Sequence, residues 1–229
     1  MLRRQPVPFF LEKKLRTSYT PYNMAIQNPC KPGAPFASLR FCQGTKVLPG
    51  IRQYVYAIAK RDIVKWPALP DTATAETTLD KLGTYDKDFT LAGDKKWVRI
   101  DLALNKGNIE CESQGDRPSR TFLNKLTVSY PGTQAEAVGF CRLAADEDMV
   151  FLVPQRDGKF RVLGNEMFMT DVKPKMSTGE GTSTAGGTEL EIEVTDICPA
   201  PYYVGKIDTA DDGSINAATG EATIPGIAG

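Results

Sequence analysis

Histidine is missing from all 229 residues. Its absence removes the most usual general base, the usual proton shuttle and the commonest metal ligand together. Ser-His-Asp and Cys-His machinery is therefore excluded within this chain. Paired cysteines are missing too: Cys30, Cys42, Cys111, Cys141 and Cys198 are scattered, with no C-x-x-C. An odd, widely spaced set reads as reduced thiols, not as a disulfide framework or a zinc site, whose ligands come in close pairs. The expectation is a chain with no catalytic residue, no cofactor and no metal.

Charge of one sign is also lacking. Lys+Arg and Asp+Glu both total 28, which argues against a general nucleic-acid binder and leaves little long-range repulsion against self-association. No run approaches the roughly 20 apolar residues of a membrane span, so no membrane partner is expected. The start, "MLRRQPVPFFLEKKLRTSY", is basic and briefly apolar, but Pro6 and Pro8 break it and Glu12, Lys13 and Lys14 follow. It reads as an extended arm, not a signal peptide. Met24 offers a second start, after 23 residues.

Residues 1–50 hold seven prolines, which cannot donate to a ladder, so this segment reads as a proline-rich arm outside any central strand. The first convincing strand is "IRQYVYAIAK", 51–60, rich in Val, Ile and Tyr. Residues 62–96 read as a long connection with turn residues throughout, and such connections usually have a job. From Trp97 the period is two, with Val98, Ile100, Leu102 and Leu104 on one face. "NKG", 105–107, reads as a hairpin turn into "NIECES", and "FLNKLTVSY" places Leu126, Val128 and Tyr130 on one face.

One helix is expected over about 134–146. Thr133 and Glu136 have capping-box spacing, and Ala137, Phe140, Cys141 and Ala144 make one apolar stripe. Then come "MVFLVPQ" and "KFRVLG", joined at Asp157-Gly158, followed by "EMFMTDV" as a further strand. "TELEIEVTDIC" alternates Leu190, Ile192 and Val194 with Glu189, Glu191 and Glu193. Residues 208–229 read as a flexible tail. The sum is a mainly β fold: two packed antiparallel sheets, a sandwich or barrel, with one α-helix, long loops and extended termini. Residues 51–207 form its domain.

Chemistry has few places to hide. Glu110, Glu112, Glu189, Glu191 and Glu193 are the nearest approach to a carboxylate constellation, and a glycosidase needs only two carboxylates. Alternating acids on an amphipathic strand are more simply its wet face. Trp66 and Trp97 could stack a sugar, although core is the commoner fate of tryptophan. "GEGTSTAGG" lacks the Gly-Lys-Ser/Thr ending of a phosphate loop. Cys141, on the helix stripe, reads as inert core.

The order of features resembles phage major tail tube proteins and the related tube proteins of contractile injection systems. The resemblance runs from about Tyr54 to Ile207. It rests on "DFTLAGDKKWVRIDL", "NIECESQGDRPSRTFLNKLTVSYPG", the single helix, "FLVPQRDGKFRVLGNE" and "GTSTAGGTELEIEV". The proline-rich first 40 residues and the Ala/Gly/Thr-rich end lie outside the family's common core. The resemblance implies a non-enzymatic virion protein, assembled in the host cytoplasm. Its partners would be itself, in stacked hexameric rings, other tail proteins, and DNA passing without specific binding. One sheet would join its neighbours' into a ring wall, with hairpin 156–165 as wall material. The channel-facing candidates are Glu189, Glu191 and Glu193, with Glu110 and Glu112 as additions. The arm, the 62–96 connection and the 113–121 loop would contact other subunits. Two readings stay open beside it: another tail or head-tail joining protein, and a carbohydrate-binding β-sandwich or adhesin.

Overall fold

The computed structural model describes residues 43–70, 78–181 and 185–223, with Leu39 and Phe41. Most of the expected arm, including Cys30 and Cys42, lies outside the described residues. The first part of the chain gives strand β1 (Tyr54–Ala59), β2 (Ile63–Lys65), a one-turn helix α1 (Leu79–Leu82), β3 (Thr84–Tyr85), β4 (Thr90–Leu91) and β5 (Val98–Asp101). The middle gives β6 (Asn108–Gln114), β7 (Thr121–Tyr130), helix α2 (Ala135–Ala144), β8 (Met149–Pro154), β9 (Phe160–Leu163), β10 (Thr170–Ser177) and β11 (Gly187–Asp196). Four short strands follow: β12 (Tyr202–Tyr203), β13 (Lys206–Asp208), β14 (Ser214–Asn216) and β15 (Glu221–Thr223).

The fold is mainly β and sandwich-like, as the patterning indicates. A six-stranded sheet, in the order β3-β12-β9-β8-β1-β5, forms its middle. Every residue of β8 is buried, which explains its unbroken apolar run: a strand covered on both faces has no wet side to mark with polar residues. The pleat sorts its side chains. Met149, Phe151 and Val153 join Val55, Ala57 and Leu163 in one core, while Val150 and Leu152 join Tyr56, Ile58, Phe160 and Val162 in another. A four-stranded antiparallel sheet, β10-β11-β7-β6, closes the first core with Leu126, Val128, Val172, Leu190, Ile192 and Val194. Helix α2 contributes Ala144 to this core, with Phe140 and Cys141 packed against it, as its stripe predicts. Gly164 ends β9 at φ +123°, and a Cβ there would meet Val150 at 3.0 Å. Glycine is needed at that turn on both counts.

Several expectations are corrected. The Asp157-Gly158 turn is present, with Gly158 N–H donating to the Gln155 carbonyl at 3.0 Å, but its hairpin lies in the doubly covered middle sheet and is no exposed wall. "NKG" is not a hairpin turn: β5 pairs with β1 whereas β6 pairs with β7. The Leu102 N–H donates to Gln53 in one sheet and the Ala103 N–H to Ser129 in the other, so this is a corner between sheets. The α2 cap is Gln134, with no side-chain capping bond, so Thr133 and Glu136 form no capping box. Among the described residues there are two α-helices, not one, the second being the single turn α1.

The 62–96 connection is anchored in the second core at a few points and is otherwise mostly exposed or half-buried. Ile63, Tyr85 and Phe89 are buried and Trp66, Leu69 and Leu91 pack on them; residues 71–77 lie outside the described residues. "EMFM" is a bent loop, and the strand begins only at Thr170. The described part of the expected tail is ordered as β14 and β15, which complete a three-stranded meander with β13 and bury Ile215 and Ala217 beside Ile207. Its small, polar composition hid these short alternating strands, which need only a few apolar anchors.

The candidate wall sheet and its charged face

The four-stranded sheet has one covered side and one bare side. Along β11, Thr188, Leu190, Ile192, Val194 and Asp196 are buried, while Glu189, Glu191, Glu193 and Thr195 point the other way. The register puts Glu193 opposite Lys125 and Asp171, Glu191 opposite Thr127 and Lys173, and Glu189 opposite Ser129 and Lys175. Glu110 lies opposite Lys125 on the other side, two residues from Glu112. All five candidate glutamates therefore share one outward face. Period two within each strand, multiplied by the cross-strand register, brings them together.

The face is not purely acidic, and that corrects the simple picture of an acidic wall. Lys175 Nζ donates to Glu191 at 2.5 Å, and Lys173 Nζ to Glu193 at 2.6 Å with Asp171 at 3.1 Å. Lys125 lies 3.8 Å from Glu193 and 4.0 Å from Glu112. Six carboxylates, counting Asp171, thus meet three lysines, and the face keeps an acidic excess. The lysine bonds pull the Glu191 carboxyl below its ordinary range and raise Lys173 and Lys175 above theirs. These groups are exposed, so the pairs pattern the surface more than they stabilise the fold. Lys173 and Lys175 alternate with Val172, Pro174 and Met176 in the sequence, so their side of β10 was readable there. The register that sets them beside the glutamates was not.

Where β11 ends, a polar cluster backs the sheet. Asn124 is fully buried, donates to the Cys198 carbonyl at 3.0 Å and accepts from Ala200 N–H at 3.1 Å, pinning the 197–201 connection. Asp196 is 1% exposed; one carboxylate oxygen accepts from Ile197 N–H at 2.6 Å and the other has no partner. Burial pushes its carboxyl above the usual range. A carboxyl whose folded value is raised holds its proton better folded than unfolded. Its contribution is therefore present below the unfolded value of 3.8 and is lost as pH rises through the folded value. Asp196→Asn is expected to flatten the loss of stability as pH rises from about 4 toward neutrality, read as urea midpoints against pH. An unchanged slope would show that Asp196 does not carry it.

The other candidates separate cleanly. Trp97 is 1% exposed and its ring meets Phe89 edge-on at 5.5 Å, so it offers no sugar platform; Trp66 packs on the same Phe89 at 5.4 Å. Burial pushes the Cys141 thiol up. Cys111, Cys141 and Cys198 are free thiols. Among the described residues, no group of three or more His, Cys, Asp or Glu could hold a metal ion, and no helix is long and apolar enough to cross a membrane. No family model, no curated protein and no solved structure matches the chain.

Proposed function

We propose that the chain is a tail tube subunit of a phage virion, polymerising through its four-stranded sheet into stacked rings that surround a DNA channel. One observation carries the reading. The sheet has a bare polar face, and its two edge strands, β6 of seven residues and β10 of eight, are left unpaired among the described residues. Unpaired edges of that length are a hazard that proteins blunt or close, and only closure into a barrel removes them. Lys173, Pro174 and Lys175 on β10 discourage unspecific pairing there and restrict a partner strand to a register that leaves Pro174 unbonded.

The dimensions support a channel. Six copies would close about 24 strands, and at about 4.8 Å per strand the circumference is about 115 Å. Backbone to backbone, that is about 37 Å across before strand tilt widens it. Barrels of only 16–18 strands already leave an aqueous pore. The bare face would line the lumen, its acidic excess repelling phosphates and its interleaved lysines keeping the repulsion moderate. The family resemblance of the sequence points to the same arrangement.

Sedimentation of the purified chain tests the assembly: a closed oligomer and its multiples are expected, and a strictly monomeric species at every concentration sinks the proposal. The lumen assignment has its own test. Glu189, Glu191 and Glu193 changed together to lysine should still fold and assemble, since all three point away from the core. The variant tubes should hold double-stranded DNA with an affinity that falls steeply with salt, where wild-type tubes hold none. Equal DNA retention by both would place the face outside the channel.

A further inference from the structure

The loop between β9 and β10 displays three consecutive apolar side chains on a fixed frame. Met167 is 61% exposed and Met169 77%, with Phe168 between them. The backbone that carries them is held from several sides. Asn165, itself buried, accepts through Oδ1 from the N–H of Met167 at 3.0 Å and of Phe168 at 2.7 Å, and donates through Nδ2 to Thr195 at 2.7 Å. Lys60 Nζ donates to the Phe168 carbonyl at 2.9 Å and pairs with Asp148, which accepts from Thr170 N–H at 2.9 Å. A loop so tied does not expose methionine and phenylalanine through looseness. Methionine and aromatic side chains are enriched in interface cores, and a pre-ordered display lowers the cost of binding.

A second exposed apolar group lies at the other end of the same strands. Val47, Leu48 and Leu104 are all exposed, Val47 at 73% and Leu104 at 69%. They flank Ile51, which bridges to Gln155 at the far end of β8, whereas the Met167–Met169 loop is tied to Lys60 and Asp148 at the near end. Nine residues of extended chain, about 30 Å at about 3.3 Å each, separate the two poles. Charge completes the match. At the Leu104 pole, Arg52 and Arg156 donate, among the described residues, only to neutral groups, the Tyr54 hydroxyl, Asn105 and the Ile51 carbonyl. Beside the methionine loop, Glu166 and Asp146 are exposed and make no ion pair among the described residues.

We infer that these poles bind one another between copies, the Met167–Met169 loop of one chain seating against Val47, Leu48 and Leu104 of the next. The two surfaces differ, so the contact is head to tail and propagates as a stack instead of closing as a dimer. The inference rests on the tube reading: lateral sheet edges make the ring, and this axial contact stacks one ring on another.

Two experiments separate it from that reading. In the first, Met167, Phe168 and Met169 are changed together to serine. All three are exposed, so an unaltered circular dichroism spectrum and melting curve are expected, with single rings in place of stacks in electron micrographs. Stacks of wild-type length, or loss of rings together with stacks, would overturn the axial assignment. In the second, a photo-crosslinking amino acid replaces Met169 in the full chain, and the linked peptide is identified by mass spectrometry. A link to residues 47–48 or 104 of another copy is expected. A link to the same loop of a second copy, or no intermolecular link, overturns the inference. The expected link in a protein that forms no rings would leave the head-to-tail contact standing and remove the tube reading.

Discussion

Trp97→Ala is expected to lower the unfolding free energy by about 3–5 kcal/mol, the cost of emptying a large buried aromatic site. At about 2–4 °C per kcal/mol for a domain of this size, the melting temperature should fall by roughly 10 °C. Trp97 is the largest fully buried side chain and the hub of the second core. Its ring meets Phe89, which also packs against Trp66 at 5.4 Å and Tyr203 at 5.2 Å. Its backbone ties down the C-terminal meander: Trp97 N–H donates to Asp208 at 3.0 Å and its carbonyl accepts from Ala210 N–H at 2.9 Å. The cavity would therefore loosen the 62–96 connection and the meander together, since both rest on it. Trp66→Ala, at a partly exposed site, should cost about 1–2 kcal/mol, less than full burial is worth. Urea unfolding of both variants checks the ranking. A loss below about 1 kcal/mol for Trp97 would mean that the second core does not organise this half of the molecule.

The other large effect is all-or-none and concerns assembly. Along an antiparallel edge strand, successive N–H groups point alternately into the ladder and out toward a neighbour. Of Glu110→Pro and Cys111→Pro, both on edge strand β6, one removes an outward donor and the other a ladder bond to β7. The first should melt like the wild type and yet form no rings, because proline cannot donate to a partner's strand. The second should lose about 1–3 kcal/mol through a broken internal bond. The pair controls itself, since the two positions are neighbours and only the direction of the lost donor differs. Normal assembly by both variants would remove β6 from the proposed subunit contact.

The strands of this fold were legible wherever one face is wet. β7 and β11 announced themselves by alternation, and Leu126, Val128, Leu190, Ile192 and Val194 are the core the period assigned. Legibility failed where the environment changed along the chain. Trp97, Arg99 and Asp101 look like a polar face, yet Trp97 is buried, because the middle sheet has a second core beneath it. In the same strand Val98, assigned to the apolar face, is exposed. The corner at 105–107 resembled a hairpin because sequence spacing cannot tell a strand that returns to its own sheet from one that leaves for another. The meander at 206–223 was hidden by its composition.

The candidate face was legible one strand at a time. Glu189, Glu191 and Glu193 were readable as one side of β11, and Glu110 and Glu112 as one side of β6. That all five share a sheet with Lys125, Lys173 and Lys175 depends on the order β10-β11-β7-β6. Strand order is a long-range property with no local signal. The loop at 166–169 was misread as strand for a related reason: three apolar residues in a row look like a buried segment unless Asn165 and Lys60 are seen holding them out.

Electron microscopy of the purified full-length chain at high concentration tests the central claim most directly. Annular particles are expected, with an open centre in end views and a regular axial repeat in side views, the four-stranded sheets lining the hole in averaged maps. Small solid particles without a lumen, or rings whose holes are lined by the second core's side of the molecule, would contradict it.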